Sequence, residues 1–203
     1  MPISDSGDQR PPDELASPQP PAALPSPNSV PPGDDLADDD EPLVDLEVQG
    51  SGRALTAAAL QLLSDGRSRF KTVSVFDFVP CNYELFWDML DGQPRGTFCE
   101  YGSGFGIATG LAELLGFDAL GIELAPDLVT ASRELLAAHG LKAHIELGNY
   151  LQRRDQADIY FTYAWPSHMR LIEEHFYETA KPNSRLLYCY GQDDIRCKVI
   201  RSR

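Results

Sequence analysis

From Thr97 to Ile200, short apolar runs alternate with longer helix-forming segments, and that alternation limits the fold more than any other feature of the chain. The runs are Thr97–Glu100, Ala119–Leu124, Ala143–Leu147, Ala157–Ala164 and Arg185–Tyr190, with Ile195–Ile200 as a sixth. Between them lie a segment from about Phe105 to Leu115, one opened by Pro126 and closed by Gly140, and one from Pro166 to Ala180. Proline suits the first helical turn because the donor it lacks has no partner there, and Asp127 adds negative charge where the helix dipole favours it. Strand, helix and strand repeated in this order predict a doubly wound, mostly parallel α/β sheet with helices on both faces. In such sheets, ligands bind beyond the carboxyl ends of the strands, near the point where strand order reverses.

Upstream, ALTAAALQLL at Ala54–Leu63 reads as a helix closed by Asp65-Gly66. FDFVP at Phe76–Pro80 reads as extended, and Asn82 is placed to cap a short helix, YELFWDML, that Asp91-Gly92 stops. The folded domain is expected over 51–203. It is C-terminally short, ending about a dozen residues after Tyr190.

The net charge of −14 is unevenly spread. Residues 1–49 hold twelve acids and one base, Arg10, which makes that segment −11 and leaves −3 for the rest. The same segment carries eleven of the sixteen prolines and no aromatic residue. Such a stretch buries too little apolar surface to offset its ordering entropy, so residues 1–50 are read as a disordered, acidic, Pro-rich tail. No basic and apolar leader opens the chain, and no run approaches the roughly 18–20 apolar residues that span a bilayer. A cytoplasmic protein with no membrane partner is expected. Cys81, Cys99, Cys189 and Cys197 share no CxxC spacing and read as small buried residues of a reducing compartment.

Four glycines fall within FCEYGSGFGIATG, Phe98–Gly110, directly after the first strand. Gly102, Gly104 and Gly106 space as GxGxG, with Ser103 inside the turn. A dinucleotide fingerprint, GxGxxG, needs Gly or Ala three residues after Gly104, and the chain has Ile107 there. Glu100 would repel a pyrophosphate and suits a ligand with a positive group. Glu123 ends the second strand, where a carboxylate can accept from both hydroxyls of a ribose. A ribose joined to a cationic group describes S-adenosylmethionine, and a nicotinamide-dependent oxidoreductase fits less well.

Glu100-x-Gly102-x-Gly104-x-Gly106 with Glu123 resembles the class I, Rossmann-like S-adenosylmethionine-dependent methyltransferases, over roughly residues 76–200. FVP before the short helix, YGSGFG and GIELAPDLVTASR resemble, within that class, the small protein-lysine methyltransferases. The resemblance implies that Gly102, Ser103, Gly104 and Gly106 lie along the methionine part of the cofactor. It implies that Glu100 holds the ammonium and Glu123 the ribose. It places Asn149 at the adenine amino group, with Phe105, Leu124 and Tyr150 flanking the ring, and Pro80 near the methionine end.

The fourth strand ends in Tyr163, Ala164, Trp165, Pro166, Ser167 and His168. In this class that strand end faces the transferable methyl. Tyr163 and Trp165 are candidates for an aromatic wall that favours a cationic group; Tyr163 and His168 are candidates to accept a proton. The acceptor is unidentified, a protein lysine or a small amine being the expectation, and the alternative is a protein that binds the cofactor without catalysis. No metal is expected, because His139, His144, His168 and His175 have no ligand spacing with the cysteines. Nucleic acid is not expected as a partner, on charge alone.

Overall fold

A computed structural model describes residues 42–70 and 79–200. Among them, seven strands form one sheet: β1 (Leu43–Leu46), β2 (Thr97–Tyr101), β3 (Asp118–Glu123), β4 (His144–Leu147), β5 (Ile159–Thr162), β6 (Arg185–Gly191) and β7 (Asp194–Ile200). Their order is β1-β7-β6-β5-β2-β3-β4. The five strands from β6 to β4 are parallel, while β7 runs antiparallel to both β6 and β1. From β2 the chain winds outward through β3 and β4, then returns to the other side of β2 for β5 and β6. The reversal puts the carboxyl ends of β2 and β5 side by side.

Alternate residues of a strand point to opposite faces of the sheet, and the cores divide accordingly. Phe98 and Phe161 pack with α1 (Ala57–Arg69), α2 (Tyr83–Asp91), α3 (Ile107–Leu114) and part of α4 (Pro126–Ala138). Cys99, Tyr101 and Tyr160 pack on the other face with Ile172 and Phe176 of α5 (Pro166–Thr179). The α/β sheet with helices on both faces is thus present as the sequence predicted.

Local chemistry explains most boundaries. The Thr56 hydroxyl accepts from Ala59 N at 3.2 Å, and the Asn82 amide oxygen accepts from Leu85 N at 3.0 Å, so each caps its helix. Gly140, at φ 67°, follows α4 in the left-handed conformation that glycine tolerates. Two expectations change. Asp65-Gly66 does not close α1, which runs on to Arg69. A Cβ on Gly66 would lie 2.5 Å from Ile107 Cδ1, so this glycine lets α1 cross closely over α3.

The second change concerns the tail. Leu43–Leu46 fell within the segment read as disordered, yet it pairs with β7 in register Leu43↔Ile200 to Leu46↔Cys197. Leu43 is 6% exposed, and its burial, with the ladder that β7 offers, draws this stretch into the domain. Residues 1–41 lie outside the described residues, as do Phe76, Asp77 and Phe78 of the expected extended stretch.

Candidate functional site

The glycine turn is built by the end of β2 and held from β3. Gly102 N and Ser103 N both donate to Ile122 O, at 2.9 and 3.0 Å. Gly102, Gly104 and Gly106 have φ of 77°, 54° and 70°, all in the left-handed region where a side chain is strained. Their roles differ. Among the described residues beyond its chain neighbours, no atom lies within 4 Å of a Cβ placed on Gly102, whereas a Cβ on Gly106 would sit 2.9 Å from Ser132 Cβ, where α3 approaches α4. Gly121 of β3 is a fourth constraint that the sequence reading passed over. A Cβ there would come within 2.7 Å of Ser103 Cβ, Thr109 Oγ1 and Ile145 Cδ1.

Two carboxylates flank the turn. Glu123, at the end of β3, accepts from Gly104 N at 2.8 Å through Oε2 and from Ala125 N at 2.8 Å through Oε1. Its oxygens are therefore fixed in place by backbone donors. Glu100, in β2, accepts through Oε2 from Thr109 N at 2.9 Å and Thr109 Oγ1 at 2.5 Å. Thr109 is in the first turn of α3, so Glu100 also meets the positive end of that helix. Burial dominates its titration. Desolvation pushes the Glu100 carboxyl up to about 8, with Glu123 adding to the rise and the Thr109 bonds opposing it.

Between these acids opens a cavity of about 440 Å³. Of the residues named from sequence, Glu100, Gly102, Ser103, Gly104, Glu123, Leu124 and Tyr163 line it. Among the described residues the buried Ser103 hydroxyl has no hydrogen-bond partner, and Leu124 is 68% exposed at the rim. Val79, Cys81, Tyr83, Ala125, Leu128 and Phe161 also line it, and sequence reasoning missed them as site residues. Phe161 and Leu128 belong to elements that were legible, but their aim follows from strand pleat and helix phase. Cys81 and Tyr83 are brought in by the placement of α2 on the sheet, which no local signal encodes.

The remaining candidates stand elsewhere. Asn149 Oδ1 accepts from Leu151 N at 3.0 Å, capping a short 3-10 turn instead of facing the cavity. Tyr150 stacks on Tyr101, ring centroids 4.8 Å apart and 10° from parallel. Phe105 is 1% exposed and packs on Phe70 in the core. Gly106 serves helix packing, and Pro80 lines a neighbouring cavity. Trp165 and His168 are exposed on the first turn of α5 and its approach, outside the cavity lining. Tyr163 alone of the three catalytic candidates faces the cavity. Burial raises its phenol pKa, so at neutral pH it keeps its proton and is a hydrogen-bonding group and not a base. Burial likewise pushes the Cys81 and Cys99 thiols up, which leaves them protonated; Cys99 is buried as the sequence reading held, whereas Cys81 is half-buried at the cavity wall.

The residues present suit a ligand with hydroxyls and a cation. Among the described residues, the buried Ser103 hydroxyl has no partner, the backbone turn lies open at Gly102, and the lining carries two carboxylates and no basic side chain. Among the described residues, no group of three or more His, Cys, Asp or Glu side chains is placed to hold a metal ion. No described helix is long and apolar enough to cross a membrane.

No protein-family model matches the chain, and no curated protein matches its sequence. Solved structures do resemble it. An O-methyltransferase from Bacillus cereus, in complex with S-adenosylhomocysteine, has a TM-score of 0.51 at 14% identity, with 66% of each chain covered. A methyltransferase from Podospora anserina, also with S-adenosylhomocysteine bound, has a TM-score of 0.51 at 14% identity, covering 68% of this chain and 64% of that one. An RNA methyltransferase from Salinibacter ruber has a TM-score of 0.47 at 19% identity, covering 52% of this chain and 80% of that one. The chain thus spans about two-thirds of the length of the first two neighbours. The fold is the Rossmann-like fold of the S-adenosylmethionine-dependent methyltransferases, with the glycine turn and both acids at the carboxyl edge of the sheet.

Proposed function

We propose that this chain is an enzyme that binds S-adenosylmethionine and transfers its methyl group to an amine, on a protein lysine or a small molecule. One observation carries the reading. Glu123 is locked by Gly104 N and Ala125 N at the rim of an open glycine turn, with Glu100 beneath it in the same cavity. That arrangement offers a fixed carboxylate to ribose hydroxyls and a buried one to an ammonium. Gly102, Ser103 and Gly104 then lie along the methionine part, and Leu124 covers one side of the adenine. Asn149 and Tyr150 sit beyond the end of β4, toward the far side of the ring, while Gly106 supports the turn from behind.

When bound, S-adenosylmethionine supplies a methyl group made electrophilic by its sulfonium, and transfer requires an in-line neutral nucleophile. The chain's own residues meet that demand by positioning and by excluding water. Phe161, Leu128 and Val79 give the cavity apolar walls. Moving an amine against such walls disfavours its charged form, which frees the lone pair without a dedicated base. The Tyr163 phenol, at the end of β5, is placed to hydrogen-bond the acceptor. After transfer, the product ammonium faces the Glu100 and Glu123 carboxyls of the cavity. Trp165 and His168, on the approach to α5, are assigned to acceptor contact at the surface. The four cysteines are all unpaired, which fits the reducing cytoplasm as the place of action.

Calorimetry tests the cofactor reading. S-adenosylhomocysteine should bind with micromolar affinity and NAD should not bind. Heat from NAD with none from S-adenosylhomocysteine would overturn the assignment. A protein that binds S-adenosylhomocysteine but transfers no label from methyl-labelled S-adenosylmethionine would be a non-catalytic partner protein instead.

A further inference from the structure

Two cysteines meet at the wall of the cavity, and methyl transfer has no use for either. Cys81, just before α2, is half-buried and lines both the first cavity and a neighbouring one of about 430 Å³. Cys189, in β6, is buried in the same core layer on which Cys81 packs.

The fold brings them together from two sides. β6 lies beside β5 with Tyr188 opposite Thr162, so one residue on, Cys189 comes level with Tyr163 of the cavity lining. Asn82, next to Cys81, donates through Nδ2 to Asp193 Oδ1 at 2.8 Å, which ties the start of α2 to the turn after β6. The Cys81 and Cys189 side chains meet in a hydrogen bond, and both thiols act on the Tyr83 and Tyr163 phenols. The other two cysteines do not compete. Cys99 belongs to the opposite face of the sheet. Cys197 stands opposite Leu187, diagonal to Cys189. Such diagonals measure roughly 7–8 Å, and a disulfide needs Cβ atoms about 3.5–4.5 Å apart.

We propose that Cys81 and Cys189 form a reversible redox latch, in which a small hydroperoxide entering the cavity oxidises them to a disulfide that fastens the start of α2 to β6. The Cys81 sulfur, the one open to the cavity, attacks a peroxide oxygen. The O–O bond breaks, the thiol proton leaves in a water molecule, and a sulfenic acid remains. The Cys189 sulfur then attacks the Cys81 sulfur, the S–O bond breaks, and a second water carries off the Cys189 proton. Two thiols give up two electrons and two protons, and one hydrogen peroxide becomes two waters. A dithiol reverses the change by exchange. Burial and Cys189 both raise the Cys81 thiol, so thiolate is scarce at neutral pH and the latch closes slowly. A thiol of that kind is also a poor leaving group, so the bond opens slowly. Cytosolic disulfides are mostly transient and redox-responsive, and this pair, reduced at rest, is placed to join them. The inference goes beyond the methyltransferase reading and stands whichever ligand the cavity takes.

The test holds the full-length protein with hydrogen peroxide at pH 8.5, where thiolate is more abundant, then alkylates, digests and maps it by mass. The expected product is a linked Cys81–Cys189 peptide pair, about 2 Da lighter than its two thiol peptides together. Because the bond closes a loop of roughly a hundred residues, the melting temperature should rise by roughly 4–16 °C. Dithiothreitol should return both the map and the melting temperature to their starting values. Cys197→Ala should still form the link. Cys189→Ala should instead gain about 16 or 32 Da at Cys81. Oxygen added to Cys81 in the wild type without a link overturns the inference, and so does a Cys189–Cys197 link. A Cys81–Cys189 link that leaves the melting temperature unchanged or lowers it overturns the latch. If Cys189→Ala fails to fold, the wild-type map decides alone.

Discussion

Replacing Glu100 with Gln should make the free protein more stable and the ligand-bound protein weaker. Glu100 is 6% exposed, and burial raises its carboxyl from the ordinary 4.5 to about 8. The folded state therefore holds a proton that the unfolded state has lost, across the window from 4.5 to about 8. Stability from this group is present below 4.5, falls as pH rises through the window, and levels off above about 8. At 1.36 kcal/mol per pH unit, the loss is about 3 kcal/mol by pH 7 and about 4–5 kcal/mol by pH 9. A glutamine oxygen can still accept both Thr109 bonds, but it does not ionise. For a domain of this size each kcal/mol moves the melting temperature by roughly 2–4 °C. Glu100→Gln should thus melt with the wild type near pH 5 and roughly 8–20 °C above it at pH 9. The assay is circular dichroism melting of both proteins at pH 5, 7 and 9, since every other titrating group is common to the two. Parallel melting curves across that range would refute the reasoning. The same variant should bind S-adenosylhomocysteine at least tenfold more weakly at pH 8, because a neutral amide cannot offset an ammonium.

Glu123→Ala should raise the dissociation constant for S-adenosylhomocysteine by about thirty- to a thousandfold, the equivalent of roughly 2–4 kcal/mol for two lost charge-assisted bonds. Calorimetry checks this, and melting should show a drop of a few degrees only, because the freed Gly104 and Ala125 donors face an open cavity. Deleting residues 1–41 should leave the melting temperature unchanged. Deleting residues 1–49 removes β1 and the burial of Leu43, worth about 1.5–3 kcal/mol, and should lower it by roughly 3–12 °C; scanning calorimetry of the two truncations separates them.

What the sequence made legible was local. The turn after β2 was readable because three glycines, a preceding acid and a strand-length apolar run sit within a dozen residues, and each demand is met by a neighbour in the chain. Glu123 was readable because it ends a run of strand character. Gly66 and Gly121 were not readable, since each is small for the sake of a side chain far along the chain, Ile107 in one case and Ser103 and Ile145 in the other. β1 was hidden differently: LVDLEV alternates as an edge strand should, but it follows an acidic, proline-rich stretch whose composition outweighed six residues. Asn149 and Tyr150 show the limit on the site. Their place in the chain was right for a ring-flanking role, yet one caps a turn and the other stacks on Tyr101, choices set by contacts that sequence spacing does not encode.

The pairing of β1 with β7 joins the two strands that lie furthest apart in the domain's sequence. During synthesis β1 leaves the ribosome before the other described strands, and β7, its partner among them, follows all the others. Through that interval the outer ladder of β6 is bare, and Leu43 has no strand to hold it against its core neighbours Ile172 and Leu186. Such pairings carry the highest closure entropy in the sheet and form late. Completion of this domain is thus tied to the arrival of Asp194–Ile200, so a nascent chain stalled before that segment would present two open strand edges to its neighbours.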